Sequence, residues 1–293
     1  MRSSIDFAVL EGRLRQHVAA LARTPRTPGS AEHRQAATYI RQRLEQTGYS
    51  VVDAEFDGAG LAALNLLTEP LPNLAGLPLF VVGAHYDSIP GSPGADDNAS
   101  GVAALLELAG LLLADLQDAG ALAALQLVAY DLEEYGLLGS YTHSQELQRS
   151  QTPIHGMISL EMLAYTNHQP YSQRLPPQLS KLYPQVGNFI GVCGNEASNS
   201  LAQTVTQAMK SIPGLPVESL AVPGNGELLP ETRQSDHSSF WDHGFQALMI
   251  TDTSFFRNPH YHQPSDTPDT LDYPFLAKVT AGVGEAVSRL LRG

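Results

Sequence analysis

The spacing of apolar residues changes near residue 78. Before it, residues 5–23 and 31–46 carry apolar positions three and four apart and predict amphipathic helices. Ser30 is placed to cap the second of these, and Gly48 lies just past its end. Segments 49–56 (YSVVDAEF) and 63–69 (ALNLLTE) alternate and predict strands. Beyond residue 78 come short continuous apolar runs: 77–84 (LPLFVVGA), 124–131 (ALQLVAYD), 156–162 (GMISLEM) and 245–253 (FQALMITDT). Such runs predict strands buried on both faces, and the stretch 100–116 predicts a central helix that is apolar almost all round. Buried strands separated by helices imply an α/β fold with a sheet largely parallel in its middle. Residues 196–212 and 274–292 complete the helices, the last with Pro274 in its first turn. Residues 164–195, rich in Pro, Tyr, Gln and Asn, read as a long irregular insertion forming a surface or pocket wall. No internal repeat or low-complexity linker divides the chain, so one domain spanning 1–293 is expected.

Composition narrows the choice of partners. With 293 residues, 43% of them hydrophobic, the chain can bury a sizeable core. The net charge of −13 and the lack of any Lys/Arg-rich run argue against nucleic acid or an anionic membrane. Cys193 is the only cysteine, which excludes an intramolecular disulfide and cysteine-rich zinc modules. The N-terminal residues show no apolar core of signal-peptide length, and the most apolar segment carries Glu107 and Asp115. A soluble, cytoplasmic protein is the expectation.

Chemistry concentrates where the buried strands end. His85 and Asp87 follow the first, Glu133 and Glu134 the second, Glu161 closes the third, and Asp252 and His262 follow the fourth. Open α/β sheets bind ligands outside the carboxyl ends of their strands. One histidine after a strand is ordinarily a capped or solvated residue, and two adjacent aspartates ordinarily suit a helix entry. Four strand ends repeating the same chemistry are another matter, and a carboxylate inside a buried strand, as at Glu161, is costly unless paired or bound to metal. Imidazole and carboxylate without thiolate suit hydrolytic zinc. Two histidines and three carboxylates, one of them bridging, can hold two ions ~3.5–4 Å apart. Asp87, two residues after His85, has the spacing to accept its second ring N–H and fix the tautomer. Of two adjacent glutamates, one can bind metal while the other handles protons.

GAHYDS, GADDNASG, LEEYGLLGS, SLEM, SDHSSFWDHG and YHQPSDTPDTLD occur in the order and rough spacing of family 28 of the metallopeptidases, and from about residue 15 onward the chain resembles that family. The family includes two-zinc bacterial aminopeptidases, glutamate carboxypeptidase and glutaminyl cyclases. The resemblance implies a zinc-exopeptidase-like, three-layer α/β/α fold with a central mixed, largely parallel twisted sheet. It implies two Zn²⁺ ions bridged by Asp97, one completed by His85 and Glu161, the other by Glu134 and His262. Glu133 would be the general base, Tyr261 would hydrogen-bond the oxyanion, and the peptide bond after Asp97 would be cis. Asp87 and Asp236 would support the ligands from behind, with His237 beside the pocket. Several family members have Asp where this chain has Glu161, and a cysteine pair of some secreted members is missing, with Thr232 and Arg233 nearby instead.

These implications point to an exopeptidase acting on a peptide or aminoacyl substrate, an aminopeptidase first of all. Arg233 and Arg257 are the cations nearest the motifs and could grip a C-terminal carboxylate, which keeps a carboxypeptidase open. Glutaminyl cyclisation on the same scaffold and a non-catalytic binding protein are the remaining alternatives. Retention of all five candidate ligands and the base weighs against the last.

Overall fold

The structure is a computed structural model that describes residues 5–58, 60–116, 121–177 and 179–292. Helix α1 (Phe7–Leu21) starts where the Asp6 carboxylate accepts from the amides of Ala8 and Val9, and it buries Leu10, Leu14 and Val18. Helix α2 (Ala31–Gln46) starts where the Ser30 hydroxyl accepts from the His33 amide, 3.0 Å away. Gly48, at φ +104°, then turns the chain into the first strand, a conformation with no steric cost only for glycine.

The strands are β1 (Val51–Gly58), β2 (Leu61–Thr68), β3 (Leu79–His85), β4 (Ala124–Tyr130), β5 (Ile154–Glu161), β6 (Ile190–Asn195), β7 (Val217–Val222) and β8 (Ala247–Thr251). They form one eight-stranded sheet in the order β1-β2-β4-β3-β5-β8-β6-β7. The four middle strands, β4, β3, β5 and β8, are mutually parallel; β1, β2 and β4 pair antiparallel, and so do β8 and β6. The sheet is therefore mixed, with the parallel middle expected from the buried apolar runs.

Helices cover both faces. The remaining ones are α3 (Gly101–Leu116), α4 (Leu138–Arg149), α5 (Asn199–Met209), α6 (His237–Asp242) and α7 (Tyr273–Arg292). On one face α3, buried through most of its length, packs against α1 and α7 over a core that takes in Phe80, Val82, Leu127, Ile158 and Ile250. On the other, α4 and α6 pack together over Val81, Val128, Tyr130, Met157 and Trp241. Residues alternating along β3 divide between the two cores, as the pleat requires.

Two strands and two helices are not visible in the apolar pattern. Strand β6 occupies the last six residues of the stretch read as irregular, because IGVCGN holds two glycines and no polar alternation. Strand β7 (VESLAV) lies at the sheet edge, with only its two end residues buried. Helix α4 is polar, and α6 spans only six residues, so neither shows a long apolar stripe.

Candidate metal centre

His85 is the last residue of β3 and Glu161 the last of its parallel neighbour β5. Asp97 lies between them in space, on the irregular helical turn Ala95–Ser100 that leads into α3. That turn is tied down on both sides. The Asp266 carboxylate accepts from the amides of Asp96 and Asp97 at 2.9 and 3.1 Å. The Asn98 side chain donates to the Leu160 carbonyl (2.8 Å) and accepts from the Met162 amide (3.0 Å), clamping the turn to the end of β5. The Asp97–Asn98 peptide is cis. The glycines bracketing the turn have steric reasons: a Cβ on Gly94 (φ +63°) would overlap the Asp97 carbonyl, and one on Gly101 the Asn98 side chain.

The two oxygens of Asp97 face two different groups. Oδ1 lies 3.3 Å from His85 Nε2, which is itself 3.5 Å from Glu161 Oε2. Oδ2 lies 3.1 Å from His262 Nε2, which is 3.1 Å from Glu134 Oε2. Two triads, His85–Asp97–Glu161 and Asp97–Glu134–His262, thus share one carboxylate, each with its ligand atoms within 4.8 Å of one another.

This arrangement fits zinc. Ligands at ~2.0–2.1 Å around a tetrahedral ion stand about 3.3 Å apart, close to the spacings within each triad. His85 Nε2, His262 Nε2 and Glu134 Oε1 are buried without a hydrogen-bond partner among the described residues, which would be costly without a ligand. The charges agree. Burial opposes ionisation of Asp97, but the His262 and His85 imidazoles facing its two oxygens outweigh it and hold the carboxyl below the usual carboxylate range. Burial likewise opposes charge on the imidazoles. The charges of Glu133 and Glu161 nonetheless carry His85 well up, and the Asp97 and Glu134 carboxylates facing His262 Nε2 carry that ring up to about 10.

Glu133 and Glu134 follow β4 and are positioned by Asp87. One Asp87 oxygen accepts from the Glu133 amide (3.2 Å) and lies 3.3 Å from His85 Nδ1; the other accepts from the Glu134 amide (3.3 Å). Asp87 therefore contacts one imidazole and holds the backbone of both glutamates, a link its spacing from His85 did not reveal. Glu133 Oε2 stands 3.9 Å from His85 Nε2, and burial pushes its pKa well above the ordinary range.

Tyr261 stacks on the His262 ring, centroids 3.7 Å apart, and lines the adjoining cavity. Asp236 is fully buried at the entry to α6, and burial pushes its pKa up to about 7, with His85 pulling the other way. His237 is also buried, its Nε2 2.8 Å from the Thr232 carbonyl and its ring edge-on to Trp241. Asp96 points away from the triads, accepting from the Ala164 amide and the Asn258 side chain beside Asp252.

The two arginines depart from the sequence reading. Arg233 lines the cavity, but its guanidinium is committed to both Asp242 oxygens (2.9 and 2.7 Å) and to the Asn225 carbonyl (2.7 Å). Arg257 is buried, stacked over Phe189 and donating to Gln173, Thr253 and the Phe189 carbonyl. Arg233 is thus already paired, and Arg257 is buried and not among the residues that line the cavity. Sequence reasoning also passed over Arg26, Ser235 and Asp266. Arg26 is fully buried and donates to the carbonyls of Leu21, Tyr86, Pro93 and Gly94, so it holds the loop between His85 and Asp97. Nothing in its surface-like sequence context signals this.

The triads open into a cavity of about 430 Å³. Its walls include Leu175, Leu179, Leu220, Met249 and Phe256, and its metal end carries Glu133, Glu134 and Glu161. Leu175, Pro176, Leu179 and Tyr183 come from the irregular stretch after β5. No helix among the described residues is long and apolar enough to cross a membrane.

Comparison with known proteins gives concordant results. A sequence model described as peptidase family M28 matches residues 75–287. The Escherichia coli (strain K12) protein YfbL, described as uncharacterised, is 40% identical over 262 residues, 85% of this chain and 77% of that one. Leucine aminopeptidase 1 of Arthroderma otae is 26% identical over 85% of this chain, which spans 66% of that relative. Among solved structures, BSAP, a zinc aminopeptidase from Bacillus subtilis, superposes with a TM-score of 0.74 at 16% identity, covering 96% of this chain and 95% of that one. A glutaminyl cyclase of Porphyromonas gingivalis shares the fold with a TM-score of 0.67 at 20% identity, over 98% and 97% of the two chains.

Proposed function

The chain belongs to peptidase family M28, and from that premise we propose that it is a two-zinc aminopeptidase releasing N-terminal residues from peptides. The carrying observation is the shared carboxylate of Asp97, one oxygen toward each triad, at the closed end of an acidic and apolar cavity. His85, Asp97 and Glu161 would hold one zinc, and Asp97, Glu134 and His262 the other. Once bound, zinc supplies a Lewis acid for the scissile carbonyl and lowers the pKa of water.

The protein's own groups do the rest. Glu133, raised in basicity by burial, takes a proton from the attacking water and delivers it to the leaving amine as the C–N bond breaks. Asp87 fixes the Glu133 backbone through its amide and so sets the point from which the catalytic side chain reaches the triads. Tyr261, on the cavity wall, would donate to the oxygen on which negative charge develops. Specificity for an amino terminus follows from charge. Arg233 is the only Lys or Arg among the described lining residues and is already paired, whereas Glu133, Glu218 and Glu231 line the cavity as carboxylates beyond the three that zinc would offset. Such a site attracts an ammonium and repels a carboxylate.

The test is zinc stoichiometry combined with turnover of aminoacyl 4-nitroanilides, their N-acetylated forms, C-terminal dipeptides and a glutaminyl peptide. Two zincs per chain and hydrolysis abolished by N-acetylation are expected. Tight binding of a single zinc with cyclisation of the glutaminyl peptide would replace this reading with a cyclase.

A further inference from the structure

The cavity floor is the face of β8, β6 and β7 that lies on the α4/α6 side of the sheet. Strand register places its side chains in rows. Glu161 pairs with Thr251, Thr251 with Gly191, and Gly191 with Glu218. The next row runs Met249, Cys193, Leu220. Paired residues project to the same face, so the first row leads straight from a zinc-ligand position to the Glu218 carboxylate. Gly191 leaves the middle of that row without a side chain. The result is a trough that runs from Thr251 to Glu218, two strand spacings or roughly 10 Å, flanked by the apolar row.

The far end of this trough is negatively charged. Glu218 is half-buried on the edge strand and lines the cavity, and so does Glu231. Among the described residues neither carboxylate has an ion-pair or hydrogen-bond partner, while the one lining Lys or Arg, Arg233, is neutralised by Asp242. Tyr183 closes the trough from above, its hydroxyl donating to the Ser219 carbonyl at 2.8 Å. A purely apolar substrate side chain would bury this end without satisfying it. A lysine or arginine side chain matches both parts, its methylene stem against the apolar row and its cationic head against the carboxylate.

We propose that Glu218 makes this cavity the pocket for a basic N-terminal residue, so that the preferred substrates are peptides beginning with Lys or Arg. The inference rests on the aminopeptidase reading. It is tested with the zinc-loaded full chain by comparing kcat/KM for lysyl, arginyl and norleucyl 4-nitroanilides, since norleucine keeps the lysine stem without the ammonium. Lysyl and arginyl substrates are expected to exceed norleucyl about tenfold, with the advantage shrinking as salt is raised. Glu218→Gln brings the lysyl-to-norleucyl ratio near one, and Glu218→Lys inverts it. Calorimetric binding of lysine and norleucine hydroxamates to the same proteins reads the preference without turnover. Hydrolysis of norleucyl substrate at least as fast as lysyl, or a Glu218→Gln variant that leaves the ratio unchanged, overturns the pocket while leaving the aminopeptidase intact. Inert anilides with lysine hydroxamate bound more tightly than norleucine hydroxamate overturn the aminopeptidase and uphold the pocket. If no anilide is hydrolysed and neither hydroxamate binds, both fall.

Discussion

The Ser235 hydroxyl donates to Glu161 Oε2 at 2.8 Å, and since it has a single proton, Ser159, also 2.8 Å away, must donate to Ser235 in turn. Ser159 and Glu161 stand on the same face of β5, so the longer arm of a glutamate is anchored by a relay built into its own strand. Ser235→Ala removes the anchor. Zinc affinity at the His85–Glu161 group is expected to fall about tenfold or more, with the Glu134–His262 group little changed. Competition against a chromophoric chelator resolves the two sites, and an equal loss at both would contradict a local anchor.

Glu133 faces the triads without belonging to either. Glu133→Gln keeps the shape and removes the base, so kcat should drop by about 10²–10⁴ while zinc content stays at the wild-type value. Metal analysis beside steady-state kinetics decides it, because a variant that keeps most of its activity leaves the proton transfer to another group.

Asp97 serves both triads, one oxygen to each. Asp97→Asn retains a single carbonyl oxygen and loses the negative charge, and occupancy of both zinc positions should fall together. Loss of only one ion on dialysis would mean that the carboxylate does not bridge.

Arg26 donates to four backbone carbonyls in the interior, at 2.6 to 3.2 Å. Arg26→Ala takes the side-chain donor from the carbonyls of Leu21, Tyr86 and Pro93, while Gly94 keeps the Ala99 amide, at about 1–3 kcal/mol for each one that cannot repack. A loss of stability of at least about 3 kcal/mol is expected in urea unfolding followed by circular dichroism. Arg26→Lys, whose ammonium has three donors, should recover part of it.

His262 should make zinc binding dependent on pH. Burial disfavours its charge, yet the Asp97 and Glu134 carboxylates facing it raise its pKa to about 10, so the metal-free imidazole is protonated at neutral pH. A ligand must be neutral, and binding therefore expels a proton at every pH below about 10. Apparent zinc affinity should rise steadily from pH 6 to 9. Calorimetry in buffers of different ionisation enthalpy should register the released proton, and a heat of binding that does not vary with buffer would count against it.

Much of this protein is written locally. The apolar runs at 77–84, 124–131, 156–162 and 245–253 became β3, β4, β5 and β8, because a strand buried on both faces needs continuous apolar sequence. Those same runs locate their own ends, and with them His85, Glu133, Glu134 and Glu161. Ser30 and Gly48 bound α2 because capping and left-handed geometry are decided within a few residues. The weak signals were β6, β7, α4 and α6, whose sequences are glycine-rich, half-exposed, polar or short.

What the tertiary structure alone decided are relations between residues far apart in the chain. Which oxygen of Asp97 meets His85 and which meets His262 depends on how the turn at 95–100 is clamped by Asn98 to β5 and by Asp266 from near the C-terminus. Asp242 ties up Arg233, and Gln173 with Phe189 ties up Arg257, so two candidate substrate anchors became structural. The trough from Glu161 to Glu218 exists only because β6 lies antiparallel to β8 in the register that sets Gly191 between Thr251 and Glu218. Sequence periodicity reports which face of an element is buried, since that depends on spacing within the element. Pairing register and side-chain partnership are set by packing between elements, and only the folded chain brings those residues together.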